Sequence, residues 1–366
     1  MHSDIDEKFK ALHEFVVAAR ERLPDSTWAY IAGGADTETS MRRNRAAIDS
    51  LALRPRVLNN VSSIECGAEL FETNARLPVF LGPVGGLESM DPEGALAVAR
   101  AAKSFGVPML LSSVSEWSPT KLQEQIGDGL SLVFQLYARR DAAGIDELVD
   151  ECKLLNLPAF CITVDSAIYS RRDRDIAGRF SKPWRAKGEG NAAYYQASLN
   201  WRDIERIRKQ FDRQLALKGI ATAEDALLAV EHGVDIIYVS NHGGRQLDHG
   251  MGSIAALSDI VNAVNGRARV MVDGGFSRGT DIAKAIALGA DGVGLGRLMC
   301  FALAAAGSAG VVRMLELLEE EYRIALGLIG VQNGAQLNQS HVSRVDALHH
   351  DSALISAFPL LKEAEW

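Results

Sequence analysis

From Leu77 onward the chain repeats one unit: a short apolar run, a polar break, then a stretch with helical spacing. The apolar runs are Pro78 to Gly82, Pro108 to Ser112, Ser131 to Tyr137, Ala159 to Val164, Gln214 to Lys218, Asp235 to Ser240, Ala268 to Asp273 and Asp291 to Gly296. Runs of this kind, without polar alternation, read as strands buried on both faces, the signature of a parallel sheet. Eight of them separated by helices is the number that closes a (β/α)8 TIM barrel.

The joints of the repeat agree. Phe105-Gly106-Val107-Pro108, His232-Gly233-Val234-Asp235 and Leu288-Gly289-Ala290-Asp291 each place a glycine where a helix exits through a left-handed residue, with a strand two residues later. Thr222 with Asp225 has the spacing of a capping box opening the next helix.

Residues 1–76 lie outside the repeat and are expected to form a helical segment packed on the barrel of residues 77–366, the whole being a single domain. The spacing of Phe9, Leu12, Phe15, Val16 and Ala19 predicts one helix from about Ile5 to Leu23, ended by Pro24; a second carries Trp28 to Ala32 and closes at Gly33-Gly34. A long interruption separates Asp165 from Gln214. Its pieces Arg179 to Trp184 and Gly188 to Tyr195 have loop composition, and a lid over the barrel mouth is the expectation.

Composition narrows the partners. With 47% apolar and 23% charged residues in 366, the chain can bury a full core, and a net charge of −8 disfavours nucleic acid, whose phosphates demand a basic face. No apolar run is read as membrane-spanning, and the acidic N-terminus lacks the apolar core of a signal peptide, so the expected location is cytoplasmic, with no membrane partner. Cys66, Cys152, Cys161 and Cys300 are scattered, so no metal site is expected from them.

If the barrel forms, its chemistry belongs at the strand ends, because the C-terminal face carries the site in such folds. Those ends hold Pro83-Val84-Gly85, Ser112, Gln135 with Tyr137, Thr163 with Asp165, Lys218, Ser240 with His242 and Arg245, Asp273-Gly274-Gly275, and Gly296-Arg297. His242 and Arg245 pair a base that works near neutral pH with a guanidinium that clamps carboxylates. A lone His-x-x-Arg is more often a loop cap, but polar groups at every strand end make that reading poor. The two Gly-rich loops after the last strands, with Arg278 and Arg297, resemble a phosphate cradle.

The stretch Ser240-Asn241-His242-Gly243-Gly244-Arg245-Gln246-Leu247-Asp248 resembles the signature of the FMN-dependent α-hydroxy-acid oxidising family. Phe134-Gln135-Leu136-Tyr137, Thr163-Val164-Asp165, Lys218-Gly219 and Asp273-Gly274-Gly275 extend the resemblance from Tyr30 to Arg297. Glycolate oxidase, lactate oxidase, mandelate dehydrogenase and the flavin domain of flavocytochrome b2 are members. The resemblance implies the same barrel, FMN as cofactor, a 2-hydroxy acid as substrate, O2 or another electron acceptor, and a homotetramer. It implies His242 as base, Asp165 orienting it, Tyr30, Tyr137, Arg172 and Arg245 on the substrate, and Lys218 beside the flavin N1/O2 edge. For FMN it implies Pro83, Val84 and Gly85 against the ring, Ser112, Gln135, Thr163 and Ser240 at its polar edge, and Asp273, Gly274, Gly275, Phe276, Ser277, Gly296 and Arg297 around ribityl and phosphate.

Four departures stand out. Ser277 occupies a position where relatives carry arginine, which points to weaker FMN retention. Ser166-Ala167-Ile168-Tyr169-Ser170 replaces the usual Pro and Gly after Asp165, although Arg171-Arg172 persist. Val114 stands where glycolate oxidase has a bulky Trp, so the site favours a substrate with a larger or aromatic side chain. Gly85 stands where oxidases commonly have Ala and mandelate dehydrogenase has Gly, a difference that bears on how oxygen reaches the flavin rather than on the substrate. Competing readings are an FMN barrel isomerase, a non-catalytic barrel, and the same oxidation on a modified peptide or carrier-bound acid. The carboxylate clamp disfavours the first, and the full set of polar strand ends the second.

Overall fold

The computed structural model describes residues 2–181, 191–347 and 352–362. All eight expected strands are present: β4 (Val79–Leu81), β5 (Met109–Ser112), β6 (Leu132–Leu136), β7 (Ala159–Thr163), β8 (Gln214–Ile220), β9 (Ile236–Val239), β10 (Arg269–Val272) and β11 (Gly292–Leu295). They pair in parallel and close into a barrel in the order β10-β11-β4-β5-β6-β7-β8-β9. Three short strands precede them, β1 (Leu51–Leu53), β2 (Ala68–Leu70) and β3 (Thr73–Ala75), and β12 (Val342–Arg344) follows and pairs with β1.

Alternation along the strands explains the polarity of the barrel, because every second residue points inward. Inward positions are apolar low in the barrel (Val133, Ala159, Cys161, Ala216, Ile236, Met271) and join Leu70 and Phe71 of the β2–β3 hairpin, which plugs the N-terminal end. Phe71, Phe80 and Tyr238 stack edge to face through this interior, with centroids 5.5 and 5.3 Å apart. One step further up, the same rows turn polar: Gln135, Thr163, Lys218 and Ser240 are all buried.

The surrounding helices α5 (Ala95–Phe105), α6 (Pro119–Ile126), α7 (Ala142–Leu154), α11 (Ala223–Glu231), α12 (Ser253–Val264), α13 (Gly279–Ala287) and α14 (Arg297–Ile329) bury their apolar faces on the sheet. The three helix exits turn through Gly106, Gly233 and Gly289 at φ of 88°, 75° and 99°, and Thr222 caps α11 through the Asp225 amide as its spacing predicts. Helix α14 is long and apolar enough to cross a membrane by length and composition, which the sequence reading did not find. Two-thirds of its most apolar stretch is buried in the protein, and it breaks at Ala306–Gly307.

Two expectations need correction. The single N-terminal helix is two, α1 (His2–Lys8) and α2 (His13–Arg22). Glu14 accepts the amides of Lys10 and Ala11 and so fixes the turn between the two helices, while Phe9, Leu12, Phe15, Val16 and Ala19 are buried as the stripe predicted. The interruption after β7 is not loop throughout: it holds α8 (Asp173–Ala177), α9 (Ala192–Ser198) and α10 (Trp201–Gln210), the last opened by an Asn200/Asp203 capping box. Residues 182–190, central to the expected lid, lie outside the described residues.

Helices α3 (Asp25–Ala32) and α4 (Thr39–Asp49) sit at the C-terminal end of the barrel. Asp248, in the loop after β9, accepts the amides of Thr37, Thr39 and Ser40 and so caps α4 from 208 residues away, at 2.7 Å from Ser40 N. Asn44 and Asn241 exchange amide hydrogen bonds of 2.9 and 2.8 Å. A buried Arg45 bridges Asp49 and Asp281, joining α4 to α13. The last described helix, α15 (Ala353–Ala357), packs against α4.

Candidate active site

A cavity of about 850 Å³ opens at the C-terminal mouth, lined by loops from almost every strand end together with α3, α4 and α15. The turn after β9 shapes it. His242, Gly243 and Gly244 take φ of 58°, 63° and 77°, a left-handed run that only glycine adopts freely. Gly244 is required for a second reason, since a Cβ there would lie 2.5 Å from the Met41 amide nitrogen. His242 bears the strain as a non-glycine residue, a condition that surrounding contacts must hold in place.

Those contacts define the imidazole. Nδ1 lies 3.0 Å from Asp165 Oδ1 and Nε2 lies 3.1 Å from the Tyr137 hydroxyl. Burial alone would raise the Asp165 carboxyl, but neighbouring His242 and Lys218 hold it at about 2, so it is ionised. Burial lowers the His242 pKa more than Asp165 raises it, leaving the ring neutral near pH 7. With Nδ1–H donated to the carboxylate, Nε2 is the basic nitrogen and faces the cavity. Burial pushes the Tyr137 and Tyr30 phenols well above their usual range, so both stay protonated.

Arg245 leaves the same turn. Its Nη1 donates to the carbonyls of Tyr30 (2.6 Å) and Gly33 (2.8 Å), its guanidinium lies 4.7 Å from the Tyr30 ring centroid, and its buried Nη2 has no hydrogen-bond partner among the described residues. The Tyr30 hydroxyl donates to Gly85 O at 3.0 Å. Arg172 donates to the Arg245 carbonyl at 3.0 Å and stands 4.4 Å from the Tyr169 ring centroid. Tyr30, Tyr137, Arg172, His242 and Arg245 therefore all line one cavity.

Lys218 is buried, donates to Ser240 Oγ at 3.0 Å and lies 3.7 Å from Asp273. Burial would lower its pKa, but Asp273 and Asp165 reverse the sign, so it is cationic. Pro83, Val84, Gly85, Asp273, Gly274, Gly275, Phe276, Ser277, Gly296 and Arg297 line the cavity as well. Ser112, Gln135, Thr163 and Ser240 are not among its lining. They form a buried layer behind it, in which Gln135 Nε2 donates to Thr163 Oγ1 at 2.8 Å.

Arg297 differs from expectation. Nε, Nη1 and Nη2 donate to the carbonyls of Ile31, Gly243 and Gly33 at 3.0, 2.9 and 2.7 Å, so the side chain ties α3 to the β9 turn. Burial and neighbouring Arg245 push it down to about 9. Ser277 presents a neutral side chain, and its amide donates to Asp281 at 2.9 Å.

Several residues with a part in the site carried no legible role. Gln246 Nε2 donates to the Asp165 carbonyl at 3.0 Å, and Gln196 Nε2 to the Thr163 carbonyl at 3.3 Å. Asn44, Arg45, Asp248 and Asp281 hold α4 against the mouth. Gln246 and Asp248 belong to the signature stretch and could have been found there; the others have no local pattern.

Comparison with known proteins decides the family. The description FMN-dependent dehydrogenase matches residues 19–344. The chain belongs to the FMN-dependent dehydrogenase family. Members of this family are flavin oxidoreductases, and FMN is the cofactor. The chain is 36% identical to glycolate oxidase 3 of Arabidopsis thaliana, over 93% of this chain and 98% of that one. It is 34% identical to glycolate oxidase of Spinacia oleracea, over 91% and 95%. The solved structure of mandelate oxidase with benzoyl-formic acid superposes with a TM-score of 0.85 at 38% identity, covering 93% of this chain and 99% of that one.

The site suits the cofactor. The cavity is of cofactor size. Buried polar atoms of the lining without a partner among the described residues remain at Arg245 Nη2 and Asp273 Oδ1, groups that a polar ligand would satisfy. A buried cation at Lys218 stands ready for negative charge developing on a flavin.

Proposed function

We propose that this enzyme oxidises an (S)-2-hydroxy acid to the 2-oxo acid. The observation that carries the reading is the turn from which His242 and Arg245 both project into one cavity, with Asp165 behind the imidazole. Arg245 Nη2 pairs with the substrate carboxylate, helped by Arg172, and this places the carbinol carbon within reach of His242 Nε2. Nε2 accepts one of the two protons released from the carbinol, and the Asp165 carboxylate stabilises the imidazolium that results. Tyr137, kept protonated by burial, donates to the substrate oxygen as it becomes a carbonyl. FMN supplies the two-electron acceptor, reoxidised by O2 with release of hydrogen peroxide or by another acceptor. Lys218 offers fixed positive charge where those electrons arrive.

The substrate side chain is larger than that of glycolate or is aromatic. Val114, Ile168 and Tyr169 line the cavity as an apolar surface, with Val114 packed against Gly85. Solved structures similar to this chain include mandelate oxidases, one of them holding (S)-mandelic acid. The family resemblance also carries a homotetramer, which light scattering would test.

Anaerobic mixing of the yellow protein with a panel of (S)-2-hydroxy acids tests both parts. Bleaching with mandelate and with branched acids ahead of glycolate is expected, with colour restored by air. Absence of bleaching by every member would remove the reading, and fastest bleaching by glycolate would remove the side-chain preference.

A further inference from the structure

A phosphate at the loops after β10 and β11, the usual phosphate end of such a barrel, needs positive charge beside its amide donors, and here the nearby side-chain cations are engaged. Ser277 is neutral, and its amide and that of Arg278 both donate to Asp281, at 2.9 and 3.1 Å. Arg278 is paired with Glu321 at 2.6 Å, and Arg45 with Asp281 at 2.7 Å and with Asp49 at 2.5 Å. Three donors of Arg297 serve backbone carbonyls.

Arg42 is different. It lies one helical turn before Arg45, on the same side of α4, and lines the cavity. Its Nη2 donates to Thr39 Oγ1 at 3.1 Å, and among the described residues it has no carboxylate partner. The second unusual element is the end of the chain. Ser352, Ala353 and Leu354 line the same cavity, although the family match stops at 344. They are held there by Phe358 and Leu361, which are buried, by a hydrogen bond from Ser356 to Asp49, and by Arg278, which lies 5.9 Å from the Phe358 ring centroid. The same Asp49 pairs with Arg45, so one network runs from the Ser277 amide through Asp281, Arg45 and Asp49 to the C-terminal segment.

We propose that Arg42 and the segment Ser352–Leu354 complete the phosphate end of the FMN site in this chain, doing what the serine at position 277 cannot do. Arg42 supplies positive charge to the phosphate, and the C-terminal segment walls that end from water. The proposal rests on FMN being the cofactor.

FMN and riboflavin differ only by the phosphate, so titrating the apoprotein with each by flavin fluorescence isolates this contact. Arg42 is exposed, and Arg42→Gln leaves the core intact. That variant is expected to weaken FMN by about tenfold or more, the loss of one charge-assisted contact, with riboflavin held within about twofold. Leu354→Asp, which sets a carboxylate against the phosphate, should do the same, whereas Leu354→Asn should not. Adding Ser277→Arg to Arg42→Gln should restore FMN binding. Equal weakening of both flavins, unchanged FMN binding in Arg42→Gln, or failure of Ser277→Arg to restore it would overturn the proposal. Binding of neither flavin by the wild-type apoprotein would instead overturn the cofactor assignment, and this proposal with it.

Discussion

His242 Nδ1 lies 3.0 Å from Asp165 Oδ1, and the two residues come from the ends of different barrel strands, 77 positions apart in sequence. The pair fixes which imidazole nitrogen is the base. Because burial lowers the His242 pKa, the neutral, proton-accepting form persists below the ordinary value of about 6.5. Flavin reduction should therefore hold its rate as pH falls past 6.5 and decline only through the lowered pKa. Stopped-flow bleaching across pH measures this, and an acid limb at or above 6.5 would contradict it. Asp165→Asn, which offers the wrong partner to Nδ1–H, should slow reduction by about 10²–10⁴-fold while the flavin stays bound.

Arg245 holds two backbone carbonyls with one nitrogen and keeps the other for the substrate. A lysine has no planar fork to do both. Arg245→Lys should raise KM for the hydroxy acid by about 10–100-fold, the loss of a charge-assisted contact, with a smaller change in kcat. Steady-state kinetics at saturating acceptor separates the two; an unchanged KM would place the carboxylate elsewhere.

Asp248 is buried and accepts three amides and the Thr37 hydroxyl, which hold its carboxyl well below the usual carboxylate range. A depressed folded-state pKa contributes stability that is present above the unfolded value of about 3.9 and is lost as pH falls below it. Asp248→Asn should destabilise the protein by about 1–3 kcal/mol at pH 7. The gap between variant and wild type should narrow as pH drops below about 4, as thermal melts at stepped pH would show.

At Gly85 an added Cβ would lie 2.5 Å from Val114 Cγ2. Gly85→Ala should therefore cost about 1–3 kcal/mol through overpacking, and Val114→Ala should relieve much of it, giving a coupling of about 0.5–3 kcal/mol in a double-mutant cycle. Additive melting shifts would mean that Val114 moves aside freely. Val114→Trp, which fills the apolar side of the cavity, should turn kcat/KM toward glycolate and away from mandelate by about 10–200-fold.

The barrel was legible in the sequence because each strand announces itself locally. An apolar run such as Asp235 to Ser240 and a left-handed glycine such as Gly233 need no distant partner to be read. The signature residues His242 and Arg245 were legible for a related reason: three residues apart on one turn, they reach the cavity together whatever the rest does. The break between α1 and α2 was missed because a continuous apolar stripe is compatible with a turn inside it. The helices after β7 were missed for different reasons: α9 is short and carries no buried apolar stripe beyond Ala192, whereas α10 announces itself by the Asn200/Asp203 capping box and the spacing of Trp201, Ile204 and Ile207, a signal that was there to be read.

What the linear order determined by itself is the repeat, the polar strand ends, and the chemistry of one turn, all set by period and spacing within a few residues. Tertiary structure alone decided where each charge is used. It turned Arg297 toward backbone carbonyls, set Asp248 as a cap on α4, and brought Arg42 and Leu354 to the same cavity from opposite ends of the chain. The physical reason is that hydrogen-bond and ion-pair partners are chosen by proximity in space, over separations of hundreds of residues that no local pattern records.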